Sequence, residues 1–219
     1  MNLKLLFLIN QQWTSPFLDR LMALASCFPA WTPPALLLLL FILIRGSFRS
    51  RTWLLVSLLI LGINDGLIAN PLKKLVNRPR PYQVVADLRI VDLAKANPRI
   101  LAILQPATVK ISEPSIPDPT RPIAGRSFPS AHTTNTLALA LITACFYRRF
   151  GWLAFFPALL VGYSRIYAGA HWPSDVLFSI LLSLTTTSLL LLLAAFLWKR
   201  SAHRLFPRLH LDHPRLFSA

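Results

Sequence analysis

The chain contains too few cysteines for several common kinds of site. Cys27 and Cys145 are its two cysteines, and both lie inside apolar runs, where a thiol behaves as a small hydrophobic group. They form no disulfide framework and no zinc-binding pattern. The sequence also lacks internal repeats, low-complexity tracts and any break in composition that would mark a second domain. We therefore expect a single domain over residues 1–219.

Apolar sequence, by contrast, is abundant. Hydrophobic residues make up 54% of the chain and the mean hydropathy is +0.53, which is not typical of a soluble domain. The longer apolar runs approach the ~20 residues that a helix needs to cross about 30 Å of hydrocarbon. We predict an all-α integral membrane protein, a bundle of six transmembrane helices. The runs are 15–29, 31–45, 53–72, 131–147, 151–168 and 174–198.

The N-terminal region contains the shortest apolar segments of this map. MNLKLLFLIN is a short apolar segment with one lysine and no cleavage site after it, which favours an interfacial helix over a signal peptide. Ser15-Pro16 and Thr32-Pro33 each resemble an N-cap followed by proline at the first helical position. The two helices that they would open are short for full spans.

The parity of the crossings places the loop 82–128 and the stretch Tyr167 to Pro173 on one face of the membrane. Lys and Arg are divided almost evenly between the two faces. The short basic connections SFRSR and YRRF carry the orientation signal most reliably, and they favour the cytoplasm for their own side. We expect a plasma-membrane protein with the loop outside the cytoplasm. Both termini, including the basic tail 199–219, are then expected inside.

Two of the five histidines, His132 and His171, begin apolar runs on the face of the long loop. A single histidine at the end of a helix is most often a polar capping residue. Two on the same face, each within a polar cluster, favour a chemical role instead. The others lie in the basic tail and are typical of a solvated or headgroup-contacting end: His203, His210 and His213.

The first polar cluster is KKLVNRPRP, at the exit of the third run. Lys73 and Arg80 are separated by six residues, and the prolines stiffen the backbone between them. Cations that extend from the end of a helix into the membrane interface are the alternative. That alternative explains Lys74 and Arg78, but it does not explain why the backbone of the RPRP sequence is rigid.

The second cluster is GRSFPSAHTTN. Ser130 can cap the helix that follows, with the N–H groups of the first turn directed toward the loop. A helix N-terminus binds anions through these free donors and its positive dipole end. His132 lies in the same turn. A plain serine N-cap is an equally good explanation for this cluster taken alone.

The third cluster is SRIYAGAHWPSD. His171 and Asp175 are four residues apart at the start of the last helix, so the carboxylate can accept the Nδ1–H of the imidazole. That bond would leave Nε2 as a nucleophile with a free lone pair, as in catalytic triads. Arg165, six residues before His171, can bind phosphate oxygens with its guanidinium fork.

Together the clusters resemble the three signature motifs of the type 2 phosphatidic acid phosphatase (PAP2) superfamily. They are Lys73-x6-Arg80-Pro81, Pro129-Ser130-Ala131-His132 and Ser164-Arg165-x5-His171-x3-Asp175, in the family's order and spacing. The resemblance extends from about Lys73 to Asp175. The second motif usually has glycine where this chain has Ala131, a change that keeps the backbone N–H.

The resemblance implies a metal-independent phosphatase that acts on lipid phosphates at the membrane surface, with no cofactor. His171 is then the nucleophile, Asp175 orients it, and His132 protonates the leaving oxygen. The implied partners are a lipid phosphate and the bilayer, and no nucleic acid. The phosphoryl oxygens are bound by Lys73, Arg80, Ser130, Ala131 and Arg165.

The substrate is left open by the motifs. Undecaprenyl diphosphate is the first expectation, because its recycling phosphatases are commonly of this kind and face outward. Lipid A phosphate and phosphatidylglycerol phosphate follow closely. The segment 83–125 is expected either to form an interfacial helix over the site or to be a solvated connector.

Three other functions fit part of the pattern. The same motifs hold vanadate in haloperoxidases, which an integral-membrane composition disfavours. A non-enzymatic lipid transporter or binding protein also needs a polar cavity, but not a positioned nucleophile and acid. A metallohydrolase could use His132, His171 and Asp175. It is disfavoured because the motifs contain no further His, Asp or Glu at ligand spacing.

Overall fold

The computed structural model describes residues 2–114 and 125–217, most of which are helical. A π-helical segment, Asn64–Ala69, joins α4 to α5, and 3-10 helices span Arg99–Leu104 and Gly151–Ala154. The two strands are β1 (Arg89–Leu93) and β2 (Ala107–Ile111). The helices are α1 (Asn2–Phe7), α2 (Pro16–Ser26), α3 (Phe28–Arg45), α4 (Phe48–Ile63), α5 (Asn70–Val76), α6 (Pro81–Val84), α7 (Ala131–Phe146), α8 (Phe155–Tyr167), α9 (Pro173–Leu205) and α10 (Pro207–Asp212).

Of the two helix starts predicted from Ser-Pro and Thr-Pro pairs, one is confirmed and the other is wrong. Ser15 caps α2, because its hydroxyl accepts a hydrogen bond from the Leu18 N–H at 3.2 Å, with Pro16 at the first helical position. The Thr32-Pro33 pair does not open a helix. It lies inside α3, which begins four residues earlier at Phe28.

The six-crossing count is not confirmed. Two helices of the described chain are long and apolar enough to cross a membrane, Phe48–Val76 and Pro173–Ala202. A third span exists if Pro16–Ser26 and Trp31–Arg45, bent by 48°, form one passage. Helices α7 and α8, with 16 and 13 residues, are shorter than the ~20 residues that a full span needs. The class of helical membrane protein is nevertheless clear.

Contacts place both ends of α2 close to the site residues. The Tyr167 hydroxyl, at the end of α8, donates to Asp19 of α2 at 2.7 Å. The Phe28 ring, at the start of α3, packs edge-on against His132 with centroids 4.7 Å apart. Both ends of α2 therefore lie near the face that carries the long loop, which favours one bent passage through α2 and α3 over two separate crossings.

The N-terminal helix lies on that same face and packs against the protein. Leu6 and Asn10 are fully buried. The side-chain amide of Asn2 donates to the Ser174 hydroxyl at 2.9 Å, and that of Asn10 donates to the Tyr167 carbonyl at 2.7 Å. α1 is short, as expected, and Leu6 ties it to the protein core.

The C-terminal tail lies at the opposite face. The His213 ring stacks on Phe48, at the start of α4, with centroids 4.1 Å apart, and its carbonyl accepts from the Trp198 indole N–H at 3.0 Å. Phe217 packs edge-on against Phe146, at the end of α7. The two ends of the described chain thus lie near opposite ends of α9, as one bent passage in place of two crossings would require. The expectation that both termini share one face of the membrane stays a prediction, which the labelling experiment below tests.

The long loop is neither an interfacial helix nor a solvated connector. β1 and β2 pair antiparallel, with Arg89 opposite Ile111 and Leu93 opposite Ala107. Leu88 and Val91 are buried in the same apolar cluster as Leu6 and Tyr167. This two-stranded sheet corrects the all-α expectation. β1 packs into the core through Val91 and Leu93, and residues 115–124 of the predicted loop 82–128 lie outside the described residues.

Gly169 lets the chain turn between α8 and α9. Its φ is +68°, a conformation that other residues adopt only with strain. A Cβ atom at this position would also lie 3.0 Å from the Arg89 carbonyl oxygen. The close approach of the hairpin to the third cluster therefore depends on the absence of a side chain here.

A labelling experiment tests this topology. In a background with Cys27 and Cys145 replaced by alanine, single cysteines are introduced as Gln12→Cys, Glu113→Cys and Leu211→Cys. We expect an impermeant thiol reagent to label the first two in intact cells, and Leu211→Cys only after the cells are opened. The reason is that residues 12 and 113 share the face of the site, which we expect outside the cytoplasm.

Two other labelling patterns would contradict this topology, each in a different way. If Gln12→Cys and Leu211→Cys are labelled alike, α2 and α3 cross the membrane separately. Labelling of Leu211→Cys alone would show that the site faces the cytoplasm, which reverses the proposed membrane orientation but leaves the fold unchanged.

Candidate active site

The three clusters of the sequence meet at one cavity of about 590 Å³. Each cluster contributes a residue to its lining: Arg80 from the first, His132 from the second and Arg165 from the third. The hairpin residues 90–96 form another wall, and the junction of α2 and α3 adds Ser26, Cys27 and Pro29. The predicted site residues that do not line the cavity are buried or half-buried: Lys73, Ser130, Ala131, His171 and Asp175.

The imidazole of His171 has a defined tautomer. Its Nδ1 lies 2.6 Å from the Ser127 carbonyl oxygen. Because a carbonyl can only accept, Nδ1 carries the proton and Nε2 keeps its lone pair. Burial, followed by the positive charges of Arg165 and Arg80, lowers the pKa of His171 well below its ordinary value. His171 is thus a neutral imidazole at pH 7, as a nucleophile must be.

The predicted hydrogen bond between Asp175 and His171 is replaced by other contacts. The buried carboxylate of Asp175 accepts from the Arg78 guanidinium at 2.6 Å, from the Ser127 hydroxyl, and from the Trp172 N–H at 3.2 Å. Asp175 therefore holds Ser127, whose carbonyl in turn holds His171. The acid acts on the histidine through one intermediate residue.

Arg78 is not a cation extended into the interface, as the sequence suggested. Besides Asp175, its guanidinium donates to the Ser174 hydroxyl at 3.0 Å and lies 4.9 Å from the centre of the Trp172 ring. These contacts tie the RPRP segment to the first turn of α9. The stiff backbone after Lys73 is thereby fixed against the helix that follows His171.

Ser130 occupies the N-cap position of α7, but its hydroxyl does not cap the helix. The hydroxyl accepts from the Thr133 hydroxyl at 3.0 Å, and the Ser130 N–H donates to the Ser179 hydroxyl at 2.8 Å. The N–H groups of the first turn, beginning with Ala131, thus have no side-chain cap. They remain suited to bind an anion at the helix N-terminus.

Within residues 2–114 and 125–217, Arg165 is buried without a partner for its charge. The residue is 9% exposed, and its Nε atom has no hydrogen-bond acceptor in the structure. No hydrogen bond or ion pair joins its guanidinium to any residue of the described chain. Of the charges that act on it, Arg80 is repulsive and Asp92 is attractive. A buried, unpaired guanidinium is costly, and a bound anion would offset that cost.

Lys73 lies behind the cavity and is 8% exposed. The nearby charges include Arg80, Arg165 and the carboxylate of Asp65. Asp65 lies in the π-helical segment and accepts from the Asn135 side-chain amide of α7 at 2.8 Å. Asp65 thus hydrogen-bonds Asn135 of the second cluster, and its negative charge acts on Lys73 of the first.

Two contacts of the site could not be read from the motifs. Ser127, which orients His171, lies inside the second cluster, but its carbonyl carries no sequence signal. Phe28, which packs on His132, belongs to an ordinary apolar run. Long-range packing brings both to the site.

No group of three or more His, Cys, Asp and Glu side chains within residues 2–114 and 125–217 is arranged to hold a metal ion.

The fold and the site together define a class: a helical membrane protein in which two arginines, Arg165 and Arg80, act on a buried, neutral histidine. The chain belongs to the PAP2 superfamily, whose family model matches residues 51–200. This match confirms the family that the motifs indicated. The family acts on phosphate esters.

Curated relatives are similar over part of the chain. The undecaprenyl-diphosphatase BcrC of Bacillus subtilis is 43% identical over 61 residues, which is 28% of this chain and 32% of the relative. The lipid A 4'-phosphatase of Bacteroides thetaiotaomicron is 32% identical over 93 residues, which is 41% of this chain and 37% of the relative. The chain thus matches less than half of the length of each of these relatives.

The fold is also that of a solved structure, LpxE of Aquifex aeolicus. The superposition has a TM-score of 0.58 at 24% sequence identity and covers 87% of this chain and 94% of that one. This likeness shows that the two chains share a fold.

Proposed function

We propose that this protein is a membrane-bound lipid phosphatase, which hydrolyses the phosphate or diphosphate of a lipid through a phosphohistidine on His171. The reaction needs no metal ion, because Lys73, Arg80 and Arg165 supply the positive charge. Phosphoryl transfer depends mostly on positioning and electrostatic stabilisation, which this cluster of cations provides.

The observation that carries the proposal is the unpaired charge of Arg165 beside the neutral imidazole of His171. A structural arginine at 9% exposure would normally have a carboxylate or carbonyl partner. A structural histidine would not need its Nε2 lone pair preserved by a bond from Nδ1 to the Ser127 carbonyl. Phosphate oxygens on Arg165 and phosphorus near Nε2 account for both features.

The proposed reaction has two steps. Nε2 of His171 forms a bond to phosphorus while the bond from phosphorus to the leaving oxygen breaks, and that oxygen takes the electron pair. Burial, followed by the positive charges of Arg165, Arg80 and Lys73, lowers the pKa of His132 to about 3. The negative charge of the bound phosphate opposes this effect, and in the proposed reaction His132 is protonated in the complex and gives its proton to the leaving oxygen. A water molecule then attacks phosphorus, His132 accepts a proton from it, and inorganic phosphate leaves as the bond to His171 breaks.

Undecaprenyl diphosphate is the proposed substrate, with the site facing away from the cytoplasm in the plasma membrane. Support comes from the similarity to an undecaprenyl-diphosphatase and from the basic connections at the opposite face. Lipid A phosphate is the second candidate, supported by the lipid A 4'-phosphatase relative. Phosphatidylglycerol phosphate, which like lipid A phosphate carries a phosphate monoester, is a further candidate.

Phosphate release from a panel of these lipids by the purified protein tests the proposal. We expect turnover of at least one lipid phosphate, unchanged by EDTA, because protein cations occupy the role of a metal. We also expect inhibition by orthovanadate, whose trigonal-bipyramidal adduct on His171 resembles the transition state. The same preparation without lipid and a heat-denatured sample are the controls.

Each alternative predicts a different outcome. Activity that EDTA abolishes and a divalent ion restores would indicate a metallohydrolase. Lipid binding without any phosphate release would indicate a transporter or binding protein. Turnover that is indifferent to millimolar vanadate would argue against the phosphohistidine route.

A further inference from the structure

The hairpin wall of the cavity carries two charged residues that belong to none of the three motifs. Asp92 lies on β1, and Lys95 follows two residues after that strand ends. Both line the same cavity as Arg80 and Arg165. Because the hairpin packs into the core through Val91 and Leu93, this wall is held in place against the motif residues.

The Lys95 ammonium is available to a ligand. The residue is exposed, and it makes no hydrogen bond or ion pair within the described parts of the chain. Lys73 differs, because it is buried behind the cavity at 8% exposure. The cavity lining therefore has a buried cation, Arg165, at one end and an exposed cation, Lys95, on the hairpin wall.

Asp92 partly offsets the charge of this wall. Its Oδ1 accepts from the Leu93 N–H at 2.8 Å, and its negative charge acts on Arg165. With Lys95 present the two charges of the wall cancel. Without Lys95 the wall is negative and would repel any anionic group placed between it and Arg165.

The cavity has room for more than one phosphoryl group. Its volume of about 590 Å³ lies within the range of ~300–1,000 Å³ that is typical of small-molecule sites. A phosphoryl group on Arg165 and His171 occupies the buried end. A second phosphate of the same headgroup would lie toward the exposed wall, where Lys95 is placed.

We propose that Lys95 binds the lipid-proximal phosphate of a diphosphate headgroup and so selects diphosphate lipids over monophosphate lipids. This inference rests on the proposed function and specifies its substrate class. During transfer, the bond between the terminal phosphorus and the bridging oxygen breaks, and the lipid monophosphate leaves with the electron pair. The Lys95 ammonium stabilises the negative charge that accumulates on that leaving phosphate.

The test compares farnesyl diphosphate with farnesyl monophosphate in detergent, for the wild type and for Lys95→Gln. We expect the ratio of kcat/KM for diphosphate to that for monophosphate to fall about tenfold in Lys95→Gln, the lower end of what a hydrogen bond to a charged group contributes. Lys110→Gln, on β2 of the same hairpin, is the matched control and should keep the wild-type ratio. Equal melting temperatures for the variants exclude a folding defect.

Two further measurements identify the ligand. Asp92→Asn should lower KM for the diphosphate, because it removes the negative charge from the same wall. Inorganic diphosphate should inhibit the wild type and Lys95→Gln equally if Lys95 recognises a headgroup held by its lipid. It should inhibit Lys95→Gln less strongly if Lys95 binds the free anion, and that result would overturn the assignment to a lipid headgroup.

The remaining outcomes are also decisive. Equal losses on the two farnesyl substrates, or an unchanged ratio, would show that Lys95 does not discriminate between them, and the proposal would be wrong. If the wild type releases phosphate from no lipid phosphate at all, the proposed function itself fails, whatever Lys95 does.

Discussion

Replacement of His171 by alanine is expected to abolish phosphate release from every substrate, including p-nitrophenyl phosphate. The change removes the only group placed to attack phosphorus in our proposal, and loss of a nucleophile costs on the order of 10⁴-fold or more in hydrolases. A good leaving group cannot compensate, because the first bond to phosphorus is never formed. Rates with lipid and aryl substrates, measured on variants of equal melting temperature, test this expectation.

The covalent intermediate gives an independent readout. Wild-type protein mixed with a ³²P-labelled substrate and quenched in alkali should retain label that acid releases, as a phosphohistidine does. His171→Ala should retain none. Undiminished labelling of His171→Ala would place the phosphoryl group on another residue, and a residual rate on p-nitrophenyl phosphate close to the wild type would show that His171 is not the nucleophile.

Replacement of His132 by alanine is expected to slow hydrolysis of a lipid monophosphate by roughly 10²–10⁴-fold, the usual contribution of a general acid or base. Hydrolysis of p-nitrophenyl phosphate should be partly restored, because nitrophenolate leaves without a proton. The position of His132 in the lining of the cavity, braced by the Phe28 ring, suits a group that meets the leaving oxygen. The measured quantity is kcat/KM for both substrates.

His213→Ala is the matched histidine control, because His213 stacks on Phe48 at the opposite face and should not affect either rate. An equal loss of His132→Ala on both substrates would show that His132 binds or positions phosphate. The division of labour between the second and third motifs would then have to be revised. The nucleophile assignment would stand on the His171 results.

The Asp175–Ser127–His171 chain changes the expected role of the acid. Asp175 accepts from the Ser127 hydroxyl, and the Ser127 carbonyl accepts from Nδ1 of His171. The carboxylate also fixes Arg78, and with it the segment between Lys73 and Arg80. One buried acid therefore positions parts of all three clusters, which explains its place at the start of α9 better than a single bond to His171 would.

The local chemistry of the site was readable in the sequence. Motif spacing predicted His132, His171 and Arg165 as site residues, because the signals of a helix start, a proline turn and a cluster of cations each lie within a few neighbouring residues. The apolar runs identified a helical membrane protein, since a run of hydrophobic residues has no other stable environment at that length. The tautomer of His171 was also foreseen, although through the wrong partner.

Long-range contacts decided the rest. Ser127 lies 44 residues from His171, and nothing in its backbone carbonyl distinguishes it in a sequence. The segment around Arg89 to Leu93 is apolar enough for a helix or a strand, and pairing with β2 together with burial against Tyr167 selected the strand. The sequence alone thus determined the family and predicted the residues that we propose to react. Only tertiary packing determined which oxygen orients His171, which wall covers the cavity and where the N-terminal helix packs, because each depends on partners distant in the chain.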